Sequence, residues 1–332
     1  MKIQPNFSVI LQSFFTDRLM RQRQASPNTI TSYRDAFCLL FKFVRQHLNK
    51  QPSMLDIEDL DAPLIVDFLC WLEKERGNSA RTRNSRLAAI HSFYKYAALR
   101  MPIHSGVFQR VLAIPGKCYD RAPVEYLTRT EAEALLAAPD QSTWGGRRDQ
   151  TLLLLALQTG LRVSELVGLD CQDVVLDRGA HVRCKGKGRK ERCTPLRKEI
   201  VTVLRNWLHE RKGGPATPLF TNARGNQLSR DGVEYILRKH VSTAAKQCPS
   251  LKKKRVTSHV LRHTTAMDLL QHGVDRSVIA LWLGHETLGT VDVYVHADLQ
   301  MKERALAKTA PLDVKPGRYR PDDELLSFLK SL

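Results

Sequence analysis

Residues 252–296 read KKKRVTSHVLRHTTAMDLLQHGVDRSVIALWLGHETLGTVDVYVH, and this stretch decides how the rest of the chain is understood. His259 and Arg262 are three apart and His263 is four from His259, so a helix would carry all three on one face. The same face continues through Ala266, Met267 and Leu270, which puts a polar cluster at one end and an apolar anchor behind it. Gly273 is expected to end that helix, and Val274 to Leu283 to form a second, shorter one. Gly284 breaks it immediately before His285, and Tyr294 follows nine residues after His285. Taken alone, a His-x-x-Arg pair is ordinary surface and a single tyrosine is ordinary packing. Their meaning depends on what the rest of the chain supplies.

Upstream, residues 149–170 read DQTLLLLALQTGLRVSELVGLD. They predict a buried helix through 152–157, a turn at Gly160, and a second helix from about 162 to 168 that opens on Arg162. Residues 174–196, VVLDRGAHVRCKGKGRKERCTPL, predict short strands separated by glycine-containing turns. That hairpin sets Arg183, Lys185, Lys187, Arg189, Lys190 and Arg192 against Glu191 alone, which by itself describes a loop kept soluble by charge. Helices are expected again near 198–211 and 229–240, and Thr128 and Glu131 have capping-box spacing at the start of an earlier one.

The first third of the chain reads as four helices. Residues 7–19 carry apolar groups at helical spacing, and Ser26-Pro27 announces a second helix with the stripe Ile30, Tyr33, Phe37, Leu40, Phe41 and Val44. A third is expected near 61–76, broken by Gly77, and Ser79 caps a fourth that buries Leu87, Ile90, Phe93, Tyr94 and Ala97. Arg81, Thr82, Arg83, Asn84 and Arg86 crowd the first two turns of that fourth helix, with no acid between 79 and 100. Such a cluster is either a solvated face or a helix end aimed at a phosphate backbone. Pro102, Gly106, Pro115, Gly116 and Pro123 mark the stretch 102–126 as the best candidate for a linker. The resulting division is a helical domain at 1–110, a linker at 111–127, a second domain at 128–310 and a tail at 311–332. The tail's Leu325, Leu326, Phe328, Leu329 and Leu332 form an apolar stripe on a short helix that needs a surface to cover it.

Composition narrows the function. The chain has 332 residues, with 52 Lys and Arg against 34 Asp and Glu, a formal charge of +18. Hydrophobic residues make up 42%, typical of a folded protein and too many for a disordered basic tail. The excess of positive charge favours a polyanion, most naturally nucleic acid. The first 110 residues alone hold 16 Lys and Arg against 9 Asp and Glu, so the positive balance is shared by both domains. No apolar run approaches the length of about 18 residues needed to span a membrane. The 7 cysteines lack CxxC spacing and read as reduced thiols, and the N-terminus has no export signal, so the cytoplasm is the expected compartment. The C-terminal half shows no Walker A sequence, no HExxH pair and no clustered acids of the kind that hold Mg²⁺.

The ordered set TGLRVSEL at 159–166, KGKGRKER at 185–192, HVLRH at 259–263, LGH at 283–285 and then Tyr294 closely resembles the tyrosine recombinase, or phage integrase, family. The likeness is greatest to its compact bacterial branch of Xer recombinases and mobile-element integrases. It covers about 128–300, with a weaker match of 8–105 to the family's four-helix DNA-binding domain. The resemblance implies a mainly α fold: a four-helix N-terminal domain and a mostly α catalytic domain with a small antiparallel sheet, closing as a two-domain clamp around DNA. It implies that Arg162 and Arg262 clamp the scissile phosphate, that Lys187 protonates the leaving 5′ oxygen, and that His259 assists proton transfer. It further implies that His285 hydrogen-bonds the phosphate and that Tyr294 attacks phosphorus to form a 3′-phosphotyrosyl link. Glu165 and His263 match supporting positions beside this set. Lys185, Arg189, Lys190 and the run Lys252, Lys253, Lys254, Arg255 are further candidate DNA contacts, alongside the cluster at 81–86.

No cofactor and no metal are implied. The partners implied are double-stranded DNA with inverted half-sites, copies of the chain as a dimer on a core site and a tetramer in the synapse, and a second recombinase or accessory protein. No membrane partner is implied, and the setting is the bacterial cytoplasm and its nucleoid. A type IB topoisomerase-like nicking-closing enzyme shares the chemical logic and is the nearest alternative. A non-catalytic DNA-binding regulator would explain the charge but not the coincidence of Tyr294, Lys187 and two clamp arginines.

Overall fold

The computed structural model describes residues 6–120, 123–186 and 191–284. The chain divides into two compact units, Met1–Ala122 and Pro123–Leu332.

Unit one is helical. It begins with α1 (Phe7–Ser13), capped by the Asn6 side chain on the Val9 amide, and continues as a π-helical segment over Phe14–Gln22. The widening follows from the sequence spacing. Phe14 and Leu19 are both fully buried, yet a five-residue step would swing one about 140° away from the other on an α-helix. A π turn brings them back to one face. Then come α2 (Pro27–Leu48), α3 (Ala62–Lys74), α4 (Ala80–Ala98) and α5 (Ser105–Leu112). Ser26, Asp61 and Ser79 each cap the following helix by accepting from the backbone N–H at the N3 position. The core is aromatic: Phe93 meets Phe7, Phe14 and Phe37 edge-on at 5.7, 5.6 and 5.4 Å. Each such pair adds about 0.5–1.5 kcal/mol beyond the area it buries.

The helix α5 lies inside the stretch that the prolines and glycines marked as linker. Its Phe108 and Val111 are buried in the core of unit one, so these residues belong to the domain. The chain beyond α5 is also tied down. Arg83 donates to the Pro115 carbonyl at 3.1 Å, and Asn84 and Lys117 exchange two bonds of 2.8 and 3.0 Å through the Lys117 backbone.

Unit two is built on α6 (Arg129–Ala137), α7 (Trp144–Thr159), α8 (Val163–Val167), α9 (Lys198–Arg211), α10 (Arg230–Ala244), α11 (Ser258–Gln271) and α12 (Arg276–Leu283). The capping box of Thr128 and Glu131 opens α6 as the spacing predicts. Three short antiparallel strands, β1 (Val174–Val175), β2 (His181–Lys185) and β3 (Glu191–Pro195), form a sheet in the order β1-β2-β3. Val182 and Cys184 turn inward, and the register pairs them with Thr194 and Arg192. The core runs from Leu152, Leu153 and Leu155 of α7 to Trp207 of α9 and Leu237 of α10. A separate apolar cluster joins α11 to α12 through Ala266, Met267, Leu270, Ile279 and Leu283. The architecture is therefore mainly α with one small antiparallel sheet. Among the described residues no helix is long and apolar enough to cross a membrane.

Candidate active site

The site is organised by the end of α7. A helix leaves its last carbonyls without intrahelical donors, and here side chains from two other helices supply them. Thr265 Oγ1 donates to the Leu157 carbonyl at 2.7 Å, Trp282 Nε1 to Thr159 at 3.1 Å, and Arg262 Nη1 to Gly160 at 2.7 Å. Gly160 closes α7 with φ of +63°, and a Cβ there would stand 2.6 Å from Leu283 Cδ2. Both the backbone angle and the space require glycine. This turn is the hub to which α11 and α12 are fastened.

Arg262 reaches further: its Nη2 donates to the Leu283 carbonyl at 2.6 Å. The next carbonyl, Gly284, accepts from Arg162 Nη2 at 3.2 Å. Two guanidinium groups from distant parts of the chain therefore meet on consecutive carbonyls, directly ahead of His285 in sequence. Arg262 is 4% exposed, whereas the Arg162 side chain keeps 30% of its surface open. Arg162 is thus the arginine that a ligand reaches first.

Arg162 also caps α8. Its amide donates to Glu165 Oε2 at 2.8 Å and its Nη1 to Glu165 Oε1 at 2.9 Å. Arg192, from β3, closes the other side of the same carboxylate, Nη1 to Oε1 at 3.1 Å and Nη2 to Oε2 at 2.7 Å. Burial by itself would push the Glu165 carboxyl up. The hydrogen bonds from Arg192 and from the Arg162 backbone outweigh it and hold the group below its usual range. Arg162 and Arg262 meet at the Leu283–Gly284 turn, while Arg162 and Arg192 share the Glu165 carboxylate between them. That balance leaves an excess of positive charge where an anion could settle.

His259 and His263 lie one turn apart on α11, their rings 6.5 Å between centroids, as the spacing predicts. The start of α11 is fixed from α10, because Glu234 accepts both the Ser258 amide and hydroxyl, at 3.2 and 2.7 Å. His259 is exposed and His263 half-buried. Burial first, then the neighbouring His259 and Arg262, push His263 down to about 4. It is therefore neutral at physiological pH, fit to orient rather than to carry charge. The unfolded chain protonates this histidine near 6.5, so its contribution to stability is fully present above that pH and is lost as pH falls toward 4. Denaturant titrations of wild type and His263→Asn at a series of pH values should show the wild type losing stability more steeply across that window.

The candidate DNA contacts separate into two groups. Arg81, at the start of α4, and Lys252, Lys253 and Arg255 are exposed. Thr82 shares a 3.1 Å hydroxyl bond with Ser79. Others are engaged within the fold: Arg83 and Asn84 with residues 115–117, and Arg86 with the Ser32 carbonyl at 2.9 Å. Lys254 holds Glu131 at 2.6 Å and the Tyr126 carbonyl at 2.8 Å. Lys185 ends β2, while Lys187, Arg189, Lys190, His285 and Tyr294 lie outside the described residues. Among the described residues, no three His, Cys, Asp or Glu side chains come together in a metal-holding group.

Arg192 is the residue the sequence reading overlooked, grouping it with the solvated hairpin. Strand parity was the available signal. Val182 and Cys184 are inward, so their antiparallel partners Thr194 and Arg192 must share that face.

The sequence pattern of the Phage integrase family matches residues 125–301, and that of the phage integrase N-terminal SAM-like domain matches residues 13–101. The chain belongs to the phage integrase family, and its class is that of the tyrosine recombinases, site-specific DNA recombination enzymes. Among particular proteins, it is 59% identical to the integrase/recombinase y4rC of Sinorhizobium fredii over 97% of each chain. It is 34% identical to the tyrosine recombinase XerC of Pelobacter propionicus, over 90% of this chain and 94% of that one. The XerH site-specific recombinase, solved bound to palindromic difH substrate as a post-cleavage complex, shares the fold with a TM-score of 0.69 at 23% identity. That likeness covers 89% of this chain and 84% of XerH.

Proposed function

We propose that this recombinase cuts and rejoins duplex DNA through a covalent bond between Tyr294 and the 3′ phosphate, with Arg162 and Arg262 as the phosphate clamp. The reading is carried by the meeting of those two guanidinium groups on the consecutive carbonyls of Leu283 and Gly284. Rigid planar forks suit the nonbridging oxygens of a phosphodiester better than flexible ammonium groups do. The Tyr294 oxygen attacks phosphorus, the bond from phosphorus to O5′ breaks, and the leaving oxygen takes a proton from Lys187. A free phenol titrates near about 10, so the surrounding cations favour the phenolate as attack begins. His259 serves proton transfer and His285 hydrogen-bonds the phosphate, while Glu165 and His263 support them. The bond energy stays in the phosphotyrosyl link, so religation needs neither ATP nor a nucleotide-binding loop.

Attack by the 5′ hydroxyl of a second duplex turns nicking and closing into strand exchange. On this reading the substrate is double-stranded DNA with inverted half-sites. Arg81, Thr82, Lys252, Lys253 and Arg255 meet its phosphates. Copies pair on a core site and form a tetramer in the synapse, a second recombinase being the natural heteromeric partner. The work is done on the nucleoid, in the cytoplasm. Mixing two differently labelled duplexes that carry the protein's own core site tests the assignment. Cross-joined products are expected, and relaxation or religation without them would favour a topoisomerase-like enzyme.

A further inference from the structure

Arg192 belongs to β3, opposite Cys184 of β2, and its side chain is only 12% exposed. It is therefore not a charge spent on keeping the hairpin in solution. Its two terminal nitrogens take both oxygens of Glu165, at 3.1 and 2.7 Å. Its guanidinium also lies against the α-carbon of Gly284, where a Cβ would stand 2.7 Å from Arg192 Nη1. Gly284 has a φ of +64° and offers its carbonyl to Arg162. One side chain thus touches both the carboxylate that holds Arg162 and the turn that receives it.

The charges explain what this contact does. Arg162 and Glu165 alone form a neutral pair, and a neutral pair has little pull on a phosphate. Without Arg192 the carboxylate would keep the Arg162 amide and turn to grip the Arg162 guanidinium with both oxygens as well, because the two-pronged geometry is the stronger one. The longer bond from Arg162 to Gly284, 3.2 Å, is the one such a rotation would sacrifice. With Arg192 in place the carboxylate is occupied from the sheet side and the trio carries a net positive charge.

We infer that Arg192 is a positioning residue: it engages Glu165 so that this carboxylate does not neutralise Arg162, keeping the Arg162 charge available to the scissile phosphate. The inference rests on the proposed role of Arg162 as a phosphate clamp. It separates Arg192 from Lys185, Lys187, Arg189 and Lys190 of the same stretch, whose proposed roles are directly on the DNA.

The test uses the full chain and a nicked duplex of its own core site, from which the cut strand's short end diffuses away and traps the adduct. Single-turnover adduct formation is compared for wild type, Arg192→Met, and Glu165→Gln combined with Arg192→Met, with half-site binding measured in parallel. Arg192→Met should slow cleavage about 100-fold while half-site affinity changes less than about threefold, the scale of losing one charge-stabilising group. The double variant removes the excess carboxylate together with its partner. It buries no unpaired charge, so it should fold, and it should regain at least about tenfold of the lost rate. A purely structural tie predicts a double variant no faster than the single one, and that result overturns the inference. So does an Arg192→Met enzyme that cuts at the wild-type rate. Should Arg192→Met not fold, a folded double variant below about 1% of wild-type cleavage is likewise contradictory. A wild type that forms no adduct would instead refute the proposed function, so the two failures are distinguishable.

Discussion

Arg262→Lys is expected to lower single-turnover cleavage by about 100-fold or more while leaving half-site binding nearly intact. The charge survives this substitution, but the fork does not. A guanidinium spans the Gly160 and Leu283 carbonyls at once, whereas an ammonium on a flexible stem has one point from which to serve them. The carbonyl left without its donor is buried at a helix end, a loss of about 1–3 kcal/mol, so the melting temperature should fall as well. The larger effect belongs to the transition state, because removing one well-placed charge-stabilising donor typically costs about 10²–10³ in rate. A stopped time course of adduct formation, alongside a melt, separates the two effects. Unchanged cleavage with a lowered melting temperature would confine Arg262 to holding α7, α11 and α12 together.

Glu165→Gln is expected to be the most destabilising single change at the site. The Glu165 side chain is 4% exposed and the Arg192 side chain 12%, so neither can turn to solvent for compensation. Taking the charge from one member of a buried pair strands the other, at a cost of about 3–5 kcal/mol. The sign with pH follows from the same bonds. The Glu165 carboxyl is held below its usual range in the folded protein, so its contribution is present above the unfolded carboxylate value and is lost as pH falls through the folded one. Urea denaturation at neutral pH measures the loss directly. A change below about 1 kcal/mol would mean that water already shares the carboxylate.

Much of this was legible beforehand, for reasons that differ by element. Helices with strong apolar stripes and explicit caps, such as those begun by Ser26-Pro27, Ser79 and the Thr128–Glu131 box, are fixed by local chemistry and fell where the sequence puts them. The convergence of Arg162 with Arg262 was expected from a family resemblance and not from spacing, since nothing local links residues so far apart. Three features were hidden because they are tertiary. The π segment at Phe14–Gln22 exists because two aromatic and aliphatic anchors five residues apart share one core. The helix Ser105–Leu112 is masked by the turn-forming residues around it and is held by the burial of Phe108 and Val111. The arginines of residues 81–86 look alike in sequence, yet Arg83 is buried against Pro115 while Arg81 faces solvent. Composition cannot separate a packing arginine from a solvent-facing one; only the position of its neighbours does.

The central claim is that Tyr294 attacks a phosphate held by the two arginines. Its most direct measurement is a denaturing gel of protein mixed with a nicked core-site duplex, followed by peptide mapping of any adduct. Wild type should retain DNA covalently on the peptide that contains Tyr294, and Tyr294→Phe should retain none. An adduct of equal yield with Tyr294→Phe, or one mapped to another residue, would contradict it.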